Sequence, residues 1–162
     1  MPIVDLDVMD GSISYAFSAM CLVRDLNAVP EPVHSTADLV NLVNRRCNAG
    51  DLRRLRIFGH GSPGSQGLGD SVSGGNELAI PRRAGISWQW MLLTNIAHFF
   101  GPDGYLQLHG CSVGAASEGK RYVSELARIL NVPVSAGIWK QVVGGGRSGE
   151  FEIAYIEAIP QP

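Results

Sequence analysis

A histidine and a cysteine of this sequence each stand beside a glycine where a short apolar run ends. His60 comes directly before Gly61, and Cys111 comes directly after Gly110. A cysteine thiolate attacks carbonyl carbon, and a neighbouring imidazole can hold the thiol proton or pair with the charged sulfur. The glycines let a substrate backbone come close and leave backbone amides for a developing oxyanion. The pair therefore predicts nucleophilic catalysis by a thiol.

The elements that must position this pair alternate between strands and helices. Apolar runs and alternating patterns predict strands, the first of them at a sheet edge, over residues 2–8, 14–23, 55–58, 105–108, 132–136 and 151–159. Helical spacing of apolar residues predicts helices over residues 35–47, 87–100 and 117–130. Ser35, with Asp38 at the spacing of a capping box, and Ser87 are the predicted caps of the first two, and Met91 is expected on the buried face of the second. Glycine and serine predict a loop or small hairpin over 61–79, and a turn is predicted over 101–104.

Alternation of this kind is typical of a largely parallel sheet with helices on both faces. The predicted fold is therefore α/β, a three-layer sandwich with a mostly parallel central sheet, in one domain over residues 1–162. Functional groups of such sheets lie beyond the carboxyl ends of the strands. Because His60 and Cys111 both fall at such ends, we expect them to meet at one edge of the sheet.

Composition narrows the class of protein. Hydrophobic residues make up 45% of the chain, charged residues 17%, and the net charge is −2, which indicates a globular domain without a preference for nucleic acid. No apolar run approaches the roughly 18 residues of a membrane span, so no membrane partner is expected. Three widely spaced cysteines indicate a reducing compartment. We expect a cytoplasmic protein, with export independent of an N-terminal signal as the alternative; the sequence leaves the oligomeric state open.

The two strand-end segments resemble those of caspase-like (clan CD) cysteine peptidases, which include caspases, gingipains, legumains and the self-processing domains of large bacterial toxins. In that pattern a hydrophobic strand runs into His-Gly, and a later hydrophobic strand runs into a small residue and Cys. This chain has LRIFGHG at 55–61 and YLQLHGC at 105–111. It is most similar to bacterial caspase-like domains of unassigned role, through Leu68-Gly69-Asp70 and the run 110–114. The resemblance covers about residues 50–137.

The resemblance implies an endopeptidase that cuts a protein or peptide substrate, or itself, without a cofactor. It makes His60 the catalytic histidine and Cys111 the nucleophile, and the backbone amides of Gly61 and Cys111 would form the oxyanion site. Trp139 would line a substrate pocket. His109 stands where the family usually has an apolar residue, and the pattern assigns no residue to the pocket for the substrate residue before the cut.

Two other functions fit the same sequence. A caspase-like module without activity would bind or scaffold other proteins and keep the thiol unreactive. A serine esterase or lipase would use Ser112, because residues 110–114 fit G-x-S-x-G between a predicted strand and a predicted helix. That mechanism needs a histidine after the serine, whereas all four histidines of the chain precede Ser112.

A zinc site made of His60, His109 and Cys111 is a further alternative. Residues 109 and 111 share one face of a strand, and zinc accepts imidazole and thiolate ligands. The close ligand pairs that are usual in zinc sites are absent from the sequence. We therefore expect neither a metal nor another cofactor.

Overall fold

The computed structural model of the chain describes residues 2–11, 30–68, 78–79, 88–139 and 154–160. In chain order its elements are β1 (Val4–Asp10), β2 (Glu31–Val33), α1 (Thr36–Arg46), β3 (Leu52–Phe58), β4 (Gly61–Ser62), β5 (Ser65–Gln66), β6 (Leu78–Ala79), α2 (Trp88–Thr94), a 3₁₀ turn (Ala97–Phe99), β7 (Phe100–His109), α3 (Ala116–Leu130), β8 (Val134–Gly137) and β9 (Tyr155–Ala158).

Six of these strands form one sheet in the order β2-β1-β3-β7-β8-β9. All of its pairs are parallel except β8 with β9, which is antiparallel. Strands β4, β5 and β6 form a small separate antiparallel sheet. The α/β class and the mostly parallel central sheet are therefore confirmed, and the layering is compatible with a three-layer sandwich.

The two faces of the central sheet differ in polarity. On one face the strands present buried aliphatic side chains: Leu6, Val8, Leu55, Ile57, Leu106, Leu108, Val134 and Ala136. These residues join the buried faces of α1, α2 and α3 in a single hydrophobic core. The alternate positions place charged side chains on the other face, so that Asp7 pairs across the strands with Arg56, and Arg56 with Gln107. The alternation of the strands thus separates an apolar face from a polar face.

Helix α1 has its N-cap at the predicted residue. Ser35 is its N-cap, and the Ser35 hydroxyl accepts a hydrogen bond from the backbone N–H of Asp38 at 3.0 Å. The Asp38 carboxylate accepts in turn from the backbone N–H of His34 at 3.1 Å. The first bond satisfies an N–H group that the helix leaves without a partner. The second reaches the residue before the cap rather than Ser35 itself, so only the serine half of the predicted capping box forms.

Three sequence predictions about local structure are wrong. Strand β1 is not an edge strand, because β2 and β3 flank it on both sides. The predicted turn over 101–104 lies inside β7, where the register against β3 shifts between Leu52 and Arg54. Met91, expected in the core, is 61% exposed. The predicted strand over 14–23 and the predicted cap at Ser87 lie outside the described residues.

None of the described helices combines the length and the apolar character that a membrane crossing requires.

Candidate functional site

The parallel direction of β3 and β7 brings the ends of both strands to the same edge of the sheet. Phe58 pairs in register with His109 as the last pair of the two strands. His60 and Cys111 each follow this pair by two residues, so the register places both at the same level beyond adjacent strands. The structure thus brings together the two segments that the sequence singled out.

Gly61 forms a close backbone contact between the two segments. A Cβ atom at this position would lie 2.9 Å from both the backbone nitrogen and the backbone oxygen of Cys111, and 2.5 Å from Val113 Cγ2. Only glycine lets the backbones approach so closely. His60 is exposed and Cys111 is half-buried, so a substrate can approach both residues from solvent.

A short hairpin carries the histidine segment across the start of α3. Strands β4 and β5 pair antiparallel, and Gly64 takes a positive φ of 76° between them. The backbone N–H of Gly64 donates to the carbonyl of Val113 at 3.0 Å, and the same glycine packs on Glu118 in the first turn of α3. The hairpin is therefore anchored to the turn that contains the cysteine.

The turn after Cys111 is tied to the end of β8. Ser112 has a positive φ of 56°, and its backbone N–H donates to the carbonyl of Trp139 at 2.9 Å. The N–H of Gly114 donates to the carbonyl of Gly137, also at 2.9 Å. Trp139, the predicted pocket residue, thus lies beside the cysteine turn, and it is 60% exposed.

Two buried polar residues beneath this edge were missed by the sequence analysis. Asp10, at the end of β1, is 2% exposed, and its Oδ2 lies 2.7 Å from the position of a Cβ on Gly67. Gln66, at the end of β5, is fully buried. A signal existed for Asp10, because it precedes Gly11 at the end of an alternating strand just as His60 precedes Gly61. Gln66 lies in a glycine-rich stretch without a periodic pattern, so the sequence held no signal for it.

The comparisons with known proteins give a family without an assigned role. A family described as a domain of unknown function, DUF4347, matches residues 25–152. The chain belongs to the DUF4347 family. The matched stretch includes both His60 and Cys111. Neither the curated proteins nor the solved structures contain a match to the chain.

The zinc alternative finds no support in the described part of this DUF4347 domain. Within those residues no group of three or more histidine, cysteine, aspartate or glutamate side chains is placed to hold a metal ion. His60, His109 and Cys111 all belong to the described residues, so they do not form such a group.

His109 is a neutral, packed histidine of this DUF4347 domain. Its ring stacks on the Phe58 ring with centroids 4.7 Å apart. The Arg56 guanidinium lies over the same Phe58 ring, 5.6 Å from its centroid. Burial, followed by the positive charges of Arg56 and Arg54, lowers the pKa of His109 to about 3. Although the residue retains some exposed surface, its Nε2 atom is buried. A neutral imidazole supplies no charge to the neighbouring thiol, so His109 acts through packing.

The lowered pKa of His109 predicts that the fold loses stability in mild acid. The unfolded chain, with an ordinary histidine pKa near 6.5, binds a proton that the folded chain excludes until about pH 3. The stabilisation of the fold that neutral His109 provides is therefore complete above the pKa of histidine in the unfolded chain, and it is lost progressively as the pH falls toward 3. This costs about 2 kcal/mol between pH 7 and pH 5.

The measurement is urea unfolding of the wild type and His109→Gln across that pH range. The wild type is expected to lose about 2 kcal/mol more than His109→Gln, since glutamine does not titrate. His98→Gln, a change at an exposed histidine, is the matched control and should follow the wild type. Equal losses in wild type and His109→Gln would contradict the assignment of His109 as neutral.

Proposed function

We propose that this domain is a caspase-like cysteine endopeptidase that cuts a protein substrate, or itself, through His60 and Cys111. The observation that carries the proposal is the backbone contact between Gly61 and Cys111 at the carboxyl edge of the sheet. This contact joins the two segments on which the resemblance to caspase-like peptidases rests. A mostly parallel sheet with the histidine and the cysteine after neighbouring strands also agrees with that resemblance.

The reaction divides into acylation and deacylation. The Cys111 thiol gives its proton to His60, and the resulting thiolate attacks the carbonyl carbon of the scissile amide and gives a tetrahedral oxyanion. The backbone N–H groups of Gly61 and Cys111 donate to that oxygen. The carbon–nitrogen bond then breaks, and the imidazolium of His60 donates its proton to the leaving amine. Finally a water molecule, deprotonated by His60, attacks the thioester and releases the acid and the thiol.

The substrate is a polypeptide in this proposal, and Trp139 forms one wall of its binding site. The backbone carbonyl of Trp139 bonds to the turn that contains Cys111, and its indole is exposed to solvent, where it is available to an extended substrate chain. An aromatic ring offers a large apolar contact area for a substrate side chain. No nucleic acid, membrane or cofactor is needed. The wide cysteine spacing supports a cytoplasmic location, with signal-independent export as the alternative.

The leading alternative is a caspase-like module that binds or scaffolds other proteins and leaves the thiol unreactive. The esterase alternative has one observation in its favour, because a positive φ at Ser112 is typical of a nucleophile on a sharp turn. Against it, the chain lacks a histidine after Ser112. Chemistry at the two side chains therefore separates all three functions.

Alkylation of Cys111 by iodoacetamide tests whether the thiol is activated by His60. At pH 6 an ordinary thiol is almost fully protonated and reacts slowly, whereas a thiol paired with an imidazolium reacts fast. We expect Cys111 of the wild type to react at least about 10-fold faster at pH 6 than Cys111 of His60→Asn. At pH 9, where a thiol ionises without help, the two rates should converge.

Peptide mapping by mass spectrometry assigns the adduct to Cys111 rather than to another cysteine. His34→Asn is the matched control, because His34 is also an exposed histidine that directly follows a strand of the same sheet, the edge strand β2. It should react like the wild type. Equal rates for wild type and His60→Asn at pH 6 would contradict the peptidase and favour the binding module.

A further inference from the structure

A fully buried glutamine lies beneath the contact between the two strand ends. Gln66 closes β5, pairs across the hairpin with Gly61, and exposes none of its side chain. A buried amide is normally held by hydrogen bonds at both its nitrogen and its oxygen. The two ends of this amide point to different segments of the candidate site.

The nitrogen end faces the histidine segment. Gln66 Nε2 donates to the carbonyl of Gly67 at 3.2 Å and makes a longer contact, 3.5 Å, with the carbonyl of His60. The carbonyl of His60 also accepts from the backbone N–H of Gly67 at 2.6 Å. The backbone of the histidine is therefore held from below by the residues at the end of β5.

The oxygen end faces the cysteine segment. Gln66 Oε1 lies 2.7 Å from the position that a Cβ on Gly110 would occupy, directly before Cys111 in the chain. Oε1 is buried, and no hydrogen-bond donor of the described residues reaches it. A buried amide oxygen without a donor is unfavourable for folding. An apolar side chain of the same length would avoid that cost, so packing alone does not account for a glutamine here.

We infer that Gln66 is a positioning residue, whose single rigid amide spans from the His60 backbone to the Gly110 backbone and sets the spacing between histidine and cysteine. The inference rests on the proposed function, because spacing matters only if the two side chains work together. Methionine would fill the same volume but would neither hold the His60 carbonyl nor fix an amide plane against Gly110. The role of Gln66 is thus geometric, and it does not touch the substrate.

Gln66→Met tests this inference with two measurements. The first is amide hydrogen exchange at Gly67, whose N–H bonds to the His60 carbonyl, and we expect it to accelerate at least about 10-fold. The second is the ratio of Cys111 alkylation rates at pH 6 and pH 9, which we expect to fall at least about fivefold. A role limited to stability would lower the melting temperature and leave this ratio unchanged.

Ser65→Ala is the matched control. Ser65 precedes Gln66 in the same strand, is also buried, and its hydroxyl likewise has no donor or acceptor within the described residues. It should leave both measurements at the wild-type values. Gln66→Asn, one methylene shorter, serves as a second variant in case the methionine variant does not fold, and both measurements should change in the same direction.

The two measurements separate failure of this inference from failure of the proposed function. Unchanged exchange at Gly67 in the Gln66 variants would overturn the positioning role, whatever the thiol does. Faster exchange with an unchanged alkylation ratio would also overturn it, provided that His60→Asn lowers the wild-type ratio. If His60→Asn leaves that ratio unchanged, the proposed function fails, and the role of Gln66 in that reaction fails with it.

Discussion

Replacing Cys111 with alanine is expected to abolish peptide cleavage by this domain. The sulfur forms the bond to the scissile carbonyl in the proposed reaction, and alanine has no nucleophilic atom. Losses from removing a nucleophile are at least about 1,000-fold in comparable enzymes. The backbone of the turn is tied to β8 by the N–H groups of Ser112 and Gly114, so the alanine variant should retain the fold.

The measurement is cleavage of a peptide library, read by mass spectrometry, together with the intact mass of the domain to detect self-cleavage. Ser112→Ala is the matched control, since it removes the rival nucleophile from the neighbouring position and should retain at least about a fifth of the activity. Cleavage that survives in Cys111→Ala and disappears in Ser112→Ala would contradict the proposed cysteine peptidase and support Ser112 as the nucleophile. Absence of cleavage by the wild type, with an unreactive thiol, would favour the binding module.

The largest loss of stability is expected from Asp7→Ala on the polar face of the sheet. The guanidinium of Arg56 donates to both carboxylate oxygens of Asp7, at 2.7 and 2.5 Å, and the Arg56 side chain is only 4% exposed. Removing the carboxylate leaves a buried positive charge without its main counter-charge. Such changes cost about 3 kcal/mol of unfolding free energy.

Urea unfolding at neutral pH measures this loss, with Asp5→Ala as the matched control. Asp5 lies two residues before Asp7 on β1 and pairs with Arg53, whose side chain is 48% exposed, and at 3.5 Å with Arg54. Water replaces that interaction, so Asp5→Ala should cost less than about 1 kcal/mol. Equal losses for the two variants would show that burial of Arg56 does not strengthen the Asp7 pair.

The sequence predicted the strands next to the site because their signal is local. Leu55 to Phe58 and Tyr105 to Leu108 are apolar runs stopped by glycine, and both lie within observed strands. Helix α3 was predicted to within one residue, since its apolar spacing is uninterrupted and spans four turns. The parallel sheet then followed from the alternation of strands and helices.

The predictions failed where a local pattern had a non-local cause. Strand β1 alternates between apolar and acidic residues, which suggested an exposed edge. Its acids instead pair with arginines of the adjacent β3. Likewise Gly101 to Gly104 has the composition of a turn, but it lies within β7 as an irregular segment, between the pairs Leu52–Phe100 and Arg54–Tyr105 that join β7 to β3.

The candidate site was predictable only in part, for the same reason. The positions of His60 and Cys111 at strand ends follow from short motifs. Their roles as a catalytic pair stay a prediction. The support beneath them, made by Asp10 and Gln66, arises from a hairpin that folds back across the sheet edge, and no periodic pattern encodes that path.

The glycine contact between the two strand ends has a consequence for engineering. Because a Cβ on Gly61 would overlap the main chain of Cys111, and one on Gly110 would overlap Gln66, neither glycine at the junction of the two halves of the site has room for a side chain. Mutant libraries cannot alter their separation by changing residue size at these positions. Diversity aimed at new specificity belongs instead at exposed neighbours such as Trp139, where a change of side chain leaves the backbone junction intact.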